Sequence, residues 1–301
     1  MEQKEPSGSS AVPGSRISRV GIIRHSAKSL VIDSCQKIRR LLEQAGIQVS
    51  VLETRHRSGE KRVSDERRRI YEQCDAFVIL GGDGTILGVA RETAGQGIPI
   101  LGINLGHFGF LSECTVDELE EAIACLIRGD YQVVKRYMLN ARVLSRTSEE
   151  VFECLALNEA LITRARPGRL LRLSLGWGTN PVLTYRADGL ILATPTGSTG
   201  HSLSAGGPIL EPHLPALVVT PVCPHSLFNR PLVFSGETDI AVRCDDPSDE
   251  LMLTLDGQVE FRFSSTYTVH LRRSSKTVST VRFRERSFAE ILRYKFNLGE
   301  T

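Results

Sequence analysis

Ala76-Phe77-Val78-Ile79-Leu80-Gly81-Gly82-Asp83-Gly84-Thr85 is the stretch on which the reading of the fold turns. Five apolar residues in an unbroken run predict a strand buried on both faces, as in a parallel sheet covered by helices. A glycine pair, an aspartate and a third glycine follow at once, and the spacing predicts a helix from there through Ala94. In open α/β sheets the ligand crevice lies outside the carboxyl ends of the strands, which is where this turn falls. Glycines there let the backbone approach a ligand, so successive N–H groups and the helix N-terminus can cradle phosphate. A carboxylate beside phosphate is repelled unless it has a task. Asp83 would hold magnesium through water, or accept the proton of a hydroxyl attacking phosphorus. The alternative for the pentapeptide alone is a tight turn with Asp83 capping the next helix.

The neighbouring segments extend the same pattern outward. Arg19 to Ile23 reads as a first strand, Leu30 to Ala45 as an amphipathic helix closed by Gly46, and Gln48 to Glu53 as a second strand, together one βαβ unit. Arg55 to Arg69 is charge of both signs, read as a solvated loop running into a helix. Beyond Asp83, Pro99 to Asn104 is a fourth strand and Val116 to Arg128 a helix. At Gly129-Asp130 the texture changes. Val133 to Val143, Val151 to Ile162, Leu170 to Trp177, Val182 to Arg186 and Leu190 to Ala193 are β-like runs, continued by Leu251 to Leu255, Val259 to Phe263 and Thr266 to Leu271. Ser287 to Lys295 reads as a final helix with Ser287 as its N-cap. The expectation is a flexible tail over 1–16, an α/β domain with a parallel sheet over 17–131, a mainly β, sandwich-like domain over 132–286, and a helix and tail over 287–301.

Composition narrows the function. The chain of 301 residues is 41% hydrophobic and 24% charged, which excludes a mainly disordered or collagenous protein. Thirty-seven Lys and Arg against 35 Asp and Glu leave a net charge of +2, too balanced for a nucleic-acid partner held by counterion release, so a small ligand is expected. The seven cysteines are scattered with no C-x-x-C, which predicts reduced thiols and no zinc site. No apolar run reaches the ~20 residues of a membrane-spanning helix, and the first residues lack the apolar core of a signal peptide. A cytoplasmic protein with no membrane partner is expected.

Two further loops carry chemistry. Gly102-Ile103-Asn104-Leu105-Gly106-His107-Phe108-Gly109-Phe110 follows the fourth strand and should share the crevice of the first glycine turn. His107 has no visible partner there and reads as a packed or surface histidine. Thr194-Pro195-Thr196-Gly197-Ser198-Thr199-Gly200-His201-Ser202-Leu203-Ser204-Ala205-Gly206-Gly207-Pro208 gathers hydroxyls and glycines behind an apolar strand, a surface suited to sugars and phosphates. Asn158, Glu159, Arg186 and Asp188 are polar residues set within otherwise apolar β-like runs. Asn158 and Glu159, taken alone, also read as residues that satisfy loop backbone.

In this order, Gly81 to Thr85, Gly102 to Gly106 with Gly109-Phe110-Leu111, Leu157-Asn158-Glu159, Asp188-Gly189, Thr194 to Thr199, Ser202 to Pro208, Pro224 to Leu227 with Asn229-Arg230-Pro231, and Asp256-Gly257-Gln258 resemble the NAD kinase family over about Arg19 to Phe296. The first motif is shared with lipid kinases, whereas the Thr194 to Pro208 block and the Asn-Arg-Pro element are specific together. The resemblance implies an enzyme that moves the terminal phosphate of ATP to the 2′-hydroxyl of the adenosine ribose of NAD, giving NADP. A divalent metal, magnesium, would be held mainly by the nucleotide and by no protein cage. Asp83 would be the base and Gly84 would line the phosphate and ribose crevice. Asn158 and Glu159 would hold dinucleotide hydroxyls or base edges, and Asp188 would lie near the nicotinamide end. Thr199, Gly200, His201, Ser202, Leu203 and Ser204 would form the loop around the adenine side. Arg169, Arg186 and Gln258 match further family positions. The resemblance also implies a homodimer or homotetramer with sites near subunit interfaces. Gly200-His201 departs from the family's usual Ala-Tyr, exchanging a phenol able to stack on a base for a titratable imidazole. Phe108 stands where an aliphatic residue is more usual.

Rival readings lack their motifs. No G-x-G-x-x-G follows the first strand, as a dinucleotide-binding dehydrogenase would need, and no P-loop or protein-kinase motif set occurs. A lipid kinase would share Asp83, but the polar 194–208 block suits a dinucleotide better than acyl chains. A non-catalytic dinucleotide sensor on the same fold would be expected to lose the base or a glycine, and both are present. His213 and His225 lie among prolines without ligand spacing and read as loop histidines.

Overall fold

The computed structural model describes residues 17–25, 28–53, 65–106, 109–166, 168–177, 180–225, 229–246, 250–284 and 287–297. The tail over 1–16, most of the charged loop from Arg55, and His107 and Phe108 lie outside them. The first elements are β1 (Arg19–Arg24), α1 (Ser29–Gln44), β2 (Gln48–Glu53), α2 (Asp65–Gln73), β3 (Ala76–Leu80), α3 (Asp83–Thr93), β4 (Pro99–Asn104), β5 (Cys114–Thr115) and α4 (Leu119–Arg128). Strand β1 pairs in parallel with both β2 and β3, and β3 pairs in parallel with β4. All five residues of β3 are buried, as its unbroken apolar run requires. Helix α1 turns Val31, Cys35, Ile38 and Leu42 to the core at helical spacing. It ends where Gly46 takes φ +77 and its N–H reaches Glu43 O at 3.0 Å, the left-handed turn that a residue without Cβ adopts readily.

The chain continues through β6 (Gln132–Leu144), β7 (Glu150–Ala156), β8 (Glu159–Arg164), β9 (Leu171–Trp177), β10 (Asn180–Ala187), β11 (Gly189–Ala193), α5 (His201–Ser204), β12 (Ala216–Val222), β13 (Leu232–Ser235), β14 (Ile240–Cys244), β15 (Glu250–Leu255), β16 (Val259–Ser264), β17 (Thr268–Arg282) and α6 (Phe288–Phe296). One sheet runs β10-β9-β14-β17-β4-β3-β1-β2, with β6 and β7 alongside β17 and β5 against β4. The second runs β13-β12-β11-β8-β15-β16, antiparallel throughout. Leu139, Leu173, Leu175 and Tyr185 of the first sheet pack on Ile162, Leu190, Leu192 and Leu253 of the second, forming a sandwich. The α/β domain followed by a mainly β, sandwich-like domain is therefore the observed architecture.

Three features differ from the sequence reading. The run Val151 to Ile162 is two strands, because Leu157 and Asn158 leave the ladder and turn their N–H groups to the Asp256 carboxylate. The short run at Thr266 to Leu271 is the start of a 15-residue strand, β17. It pairs with β14 and β6 within the sandwich and then, at Ser279 and Thr280, with β4 in parallel. One continuous strand thus sets the sandwich against the parallel sheet. Strands β12, β13 and β14 also form where no strand was predicted, among the prolines and charges of residues 212–246 that break the local signal. Ser287 caps α6 as predicted, accepting from the Glu290 N–H in a capping box.

Candidate functional site

The glycine turn behind β3 lies as the sequence predicts, at the carboxyl end of a central parallel strand, with Asp83 the first residue of α3. Its half-buried carboxylate is oriented by the second glycine loop: Oδ2 accepts from Phe110 N–H at 3.0 Å and Oδ1 from Leu111 N–H at 3.4 Å. Gly109 must be glycine for this contact, since a Cβ there would lie 1.9 Å from Asp83 Oδ1. Lys295 of α6 sits over the Phe110 ring, 5.3 Å from its centroid, and interacts electrostatically with Asp83. Burial pulls the Lys295 ammonium down and the Asp83 charge pulls it up.

The second sheet presents its own end to this turn. Register places Glu159 at the start of β8 opposite Ala193 at the end of β11, and Ala160 opposite Leu255 at the end of β15. The loops that leave these strands therefore meet: Asn158-Glu159, Thr194 to Ser204, and Asp256-Gly257-Gln258. Thr194 joins the first two, its N–H donating to Asn158 O at 2.8 Å and its hydroxyl to Leu157 O at 2.6 Å. Gln258 joins the third to the glycine turn, its Nε2 donating to Gly84 O at 2.6 Å. Gly200 faces the pair, a Cβ built on it standing 3.4 Å from Glu159 Oε2 and 3.6 Å from Asn158 Nδ2.

Two polar atoms at this corner have no hydrogen-bond partner. Asn158 Oδ1 and Glu159 Oε2 are buried and accept no hydrogen bond, although Glu159 is only 7% exposed. Such atoms cost about 1–3 kcal/mol each unless a ligand or water satisfies them. Burial, and then the Asp256 charge, push the Glu159 carboxyl up to about 7. A pocket of about 280 Å³ is bordered by Phe110, Thr196 and Thr199 and by Arg136, Arg282, His213 and Phe288. Desolvation, and then Arg282, lower the Arg136 guanidinium to about 10, and burial lowers His213.

Of the residues singled out in the sequence, Gly84 and Gln258 are hydrogen-bonded beside Asp83, Gly200 lies against Asn158 and Glu159, and Thr199 borders the pocket beside Phe110. His201 and Ser204 are exposed and Leu203 half-buried on the short helix α5 that follows Gly200. Ser202 points the other way, its buried hydroxyl sharing a 2.8 Å hydrogen bond with Thr220. Arg169, Arg186 and Asp188 are exposed, Asp188 just before β11 and Arg169 just after β8 at the opposite end of the second sheet, and Arg186 on β10 of the first sheet. Asp188 precedes Gly189, which pairs with Thr163, and Arg169 lies beyond the end of β8, where its carbonyl accepts from Arg164 Nε. The length of β8 separates these from Glu159 by about 16 Å at ~3.3 Å per residue. Reasoning from sequence missed Phe110, Asp256 and Arg91. Asp256-Gly257-Gln258 was among the motifs of the resemblance, but no local signal shows that the Asp256 carboxylate is spent on residues nearly a hundred positions away.

Among the described residues, no group of three or more His, Cys, Asp or Glu is gathered as a metal site, and no helix is long and apolar enough to cross a membrane. The ATP-NAD kinase N-terminal domain model matches residues 20–131, and the ATP-NAD kinase C-terminal domain model matches residues 157–283. The chain is 42% identical over 235 residues to an NAD kinase of Geotalea daltonii, covering 78% of this chain and 82% of that protein. It is 38% identical over 285 residues to an NAD kinase of Moorella thermoacetica, covering 93% and 90%. Among solved structures, yeast NADH kinase complexed with NADH shares the fold, with a TM-score of 0.85 at 23% identity over 99% of this chain and 94% of that one. An NAD kinase from Archaeoglobus fulgidus in complex with ATP superposes with a TM-score of 0.70 at 25% identity, over 93% and 96%. With both halves of the family model matched in order and relatives near 40% identity over most of its length, the chain belongs to the NAD kinase family.

Proposed function

We propose that this chain is an NAD kinase in which Asp83 takes the proton of the adenosine 2′-hydroxyl of NAD as that oxygen attacks the terminal phosphorus of ATP. The bond from the 2′-oxygen to phosphorus forms, the bond from that phosphorus to the β–γ bridging oxygen breaks, and NADP and ADP leave. The observation that carries the reading is one carboxylate held by two backbone amides at the glycine turn, together with two unsatisfied acceptors on the Asn158-Glu159 corner, which the Asp256-Gly257-Gln258 turn joins to Gly84. Asn158 Oδ1 and Glu159 Oε2 suit ribose hydroxyls or an adenine amino group as donors. Thr199 to Ser204 would lie along the adenine side, and the phenol-free Gly200-His201 leaves room there in place of a stacking ring.

The half-buried Asp83 carboxylate retains acceptor capacity beyond its two amide bonds, which fits a magnesium ion carried on the phosphates of ATP. Bound there, the ion would neutralise charge on the transferring phosphate. Arg169, Arg186 and Asp188 belong in this proposal to a neighbouring subunit's crevice in a homodimer or homotetramer, since their own chain's crevice lies the length of β8 away. The cytoplasm, where NAD and ATP are both supplied, is its proposed compartment. Incubating purified protein with NAD, ATP and magnesium and reading NADP through an NADP-specific dehydrogenase tests the reading. Saturable NADP formation supports it, and dinucleotide binding without turnover returns the chain to a sensor.

Glu159 also makes stability depend on pH. Its folded pKa of about 7 lies above the ~4.3 of an exposed glutamate, so the folded chain binds the proton that the unfolded chain has released. Stability of the ligand-free protein therefore falls as pH rises from about 4.3 through about 7. Relative to Glu159→Gln, the wild type should lose on the order of 2 kcal/mol between those limits, measured by urea unfolding at pH 5 and pH 8. Parallel slopes for the two proteins would sink this assignment.

A further inference from the structure

Helix α3 carries Asp83 at its first residue and Arg91 two turns on, and Arg91 reaches across to the turn after β15. Its Nη1 lies 3.2 Å from Asp256 Oδ2 and its Nη2 donates to Gln258 Oε1 at 2.9 Å. The side chains of Arg91 and Asp256 are 16% and 0% exposed, so water competes little for this pair. Asp256 itself sits at φ +51, a left-handed conformation that a non-glycine residue adopts when its surroundings hold it there. The same carboxylate accepts from the N–H groups of Leu157 at 3.0 Å, Asn158 at 2.7 Å and Glu159 at 3.3 Å. Burial pushes the Asp256 carboxyl up, and those amides and Arg91 work against that rise.

We propose that Arg91 and Asp256 are positioning residues that lock α3 to the Leu157-Asn158-Glu159 corner, so that the base and the wall that holds the ribose keep one register. The idea rests on the NAD kinase reading of the site. Without the lock, Asp83 remains fixed to Phe110 and Leu111, Leu157 and Asn158 remain fixed to Thr194, and Glu159 remains paired with Ala193. Each half of the crevice stays built. What loosens is the distance between them, which is the quantity that alignment of hydroxyl, base and phosphate depends on. Gln258 ties the same turn to Gly84 and limits the play but carries no charge to hold Asp256.

The test uses full-length Arg91→Met and Arg91→Lys beside the wild type. Arg91→Met should lower kcat for NADP formation by about 10²-fold, as a misplacement near 1 Å does, with KM for NAD changed less than threefold. Arg91→Lys keeps the ion pair and gives up the Gln258 bond, so it should recover at least tenfold of that loss. Amide hydrogen exchange gives a readout that needs no turnover: exchange at Leu157, Asn158 and Glu159 should quicken about tenfold in Arg91→Met, with the amides of β1 unchanged. An inactive wild type would overturn the kinase reading and leave the exchange pattern to judge the lock by itself. A kcat within threefold of wild type, a loss confined to KM, no gain in Arg91→Lys, or unchanged exchange at the corner would each overturn the lock.

Discussion

Asp83→Asn is expected to reduce kcat for NADP formation by about 10³-fold, within the 10²–10⁴-fold range of a positioned general base. The substitution changes almost no volume, so the loss isolates the proton acceptor. It also alters the local bonding in a defined way. Both carboxylate oxygens accept from backbone amides, Phe110 N–H and Leu111 N–H, and an amide side chain offers only one oxygen. Its NH₂ would face a backbone donor, so the loop loses one hydrogen bond, about 1 kcal/mol. That modest cost should appear in urea unfolding, while the dissociation constant for NAD, measured by titration calorimetry, stays within threefold. Turnover near the wild-type rate would remove Asp83 from the role of base. An equal loss in binding and turnover would make it a ligand contact instead.

Gly197→Ala should be the most damaging single methyl in the crevice. A Cβ at that position would lie 2.1 Å from the carbonyl oxygen of Asn158, 2.4 Å from its carbonyl carbon and 2.6 Å from its Cα, all of them backbone. Backbone cannot swing aside as a side-chain tip can. The two loops are also stitched here, with Gly197 N–H donating to the Thr194 hydroxyl, which in turn donates to Leu157 O. Accommodating the methyl must part the Thr194 to Thr199 loop from the Asn158-Glu159 corner. Overpacking of this kind costs about 1–3 kcal/mol, and each broken buried hydrogen bond adds about 1 kcal/mol. We expect a loss of about 3 kcal/mol in urea unfolding and a rise in KM for NAD of at least tenfold. Gly82→Ala is the control for stability, since a Cβ there meets nothing within 4 Å. Equal stability of the two variants would mean that the loops are not in contact as described.

Sequence alone determined the features whose causes are local. The buried run Ala76–Leu80, the Gly46 stop and the Ser287 cap follow from side-chain period and turn chemistry within a few residues, and the structure reproduces them. The order of glycine and hydroxyl motifs likewise carried the family and its reaction. What only the tertiary structure decided depends on partners far along the chain. Asp256 is one residue of a motif with no role of its own until register brings it to amides 97 to 99 positions away. The break in Val151 to Ile162 is invisible for the same reason, because both halves are apolar and only that carboxylate gives Leu157 and Asn158 somewhere else to donate. Thr268–Arg282 outruns its apolar signal because its later residues, Arg272 to Thr277 among them, are polar, and pairing to β6 and β4 extends the strand regardless. Arg169, Arg186 and Asp188 read in sequence as neighbours of the site, since motif order carries no distance. The antiparallel ladder of β8 and β11 sends Arg169 and Asp188 to the other end of the sheet, because a strand's two ends lie as far apart as its length.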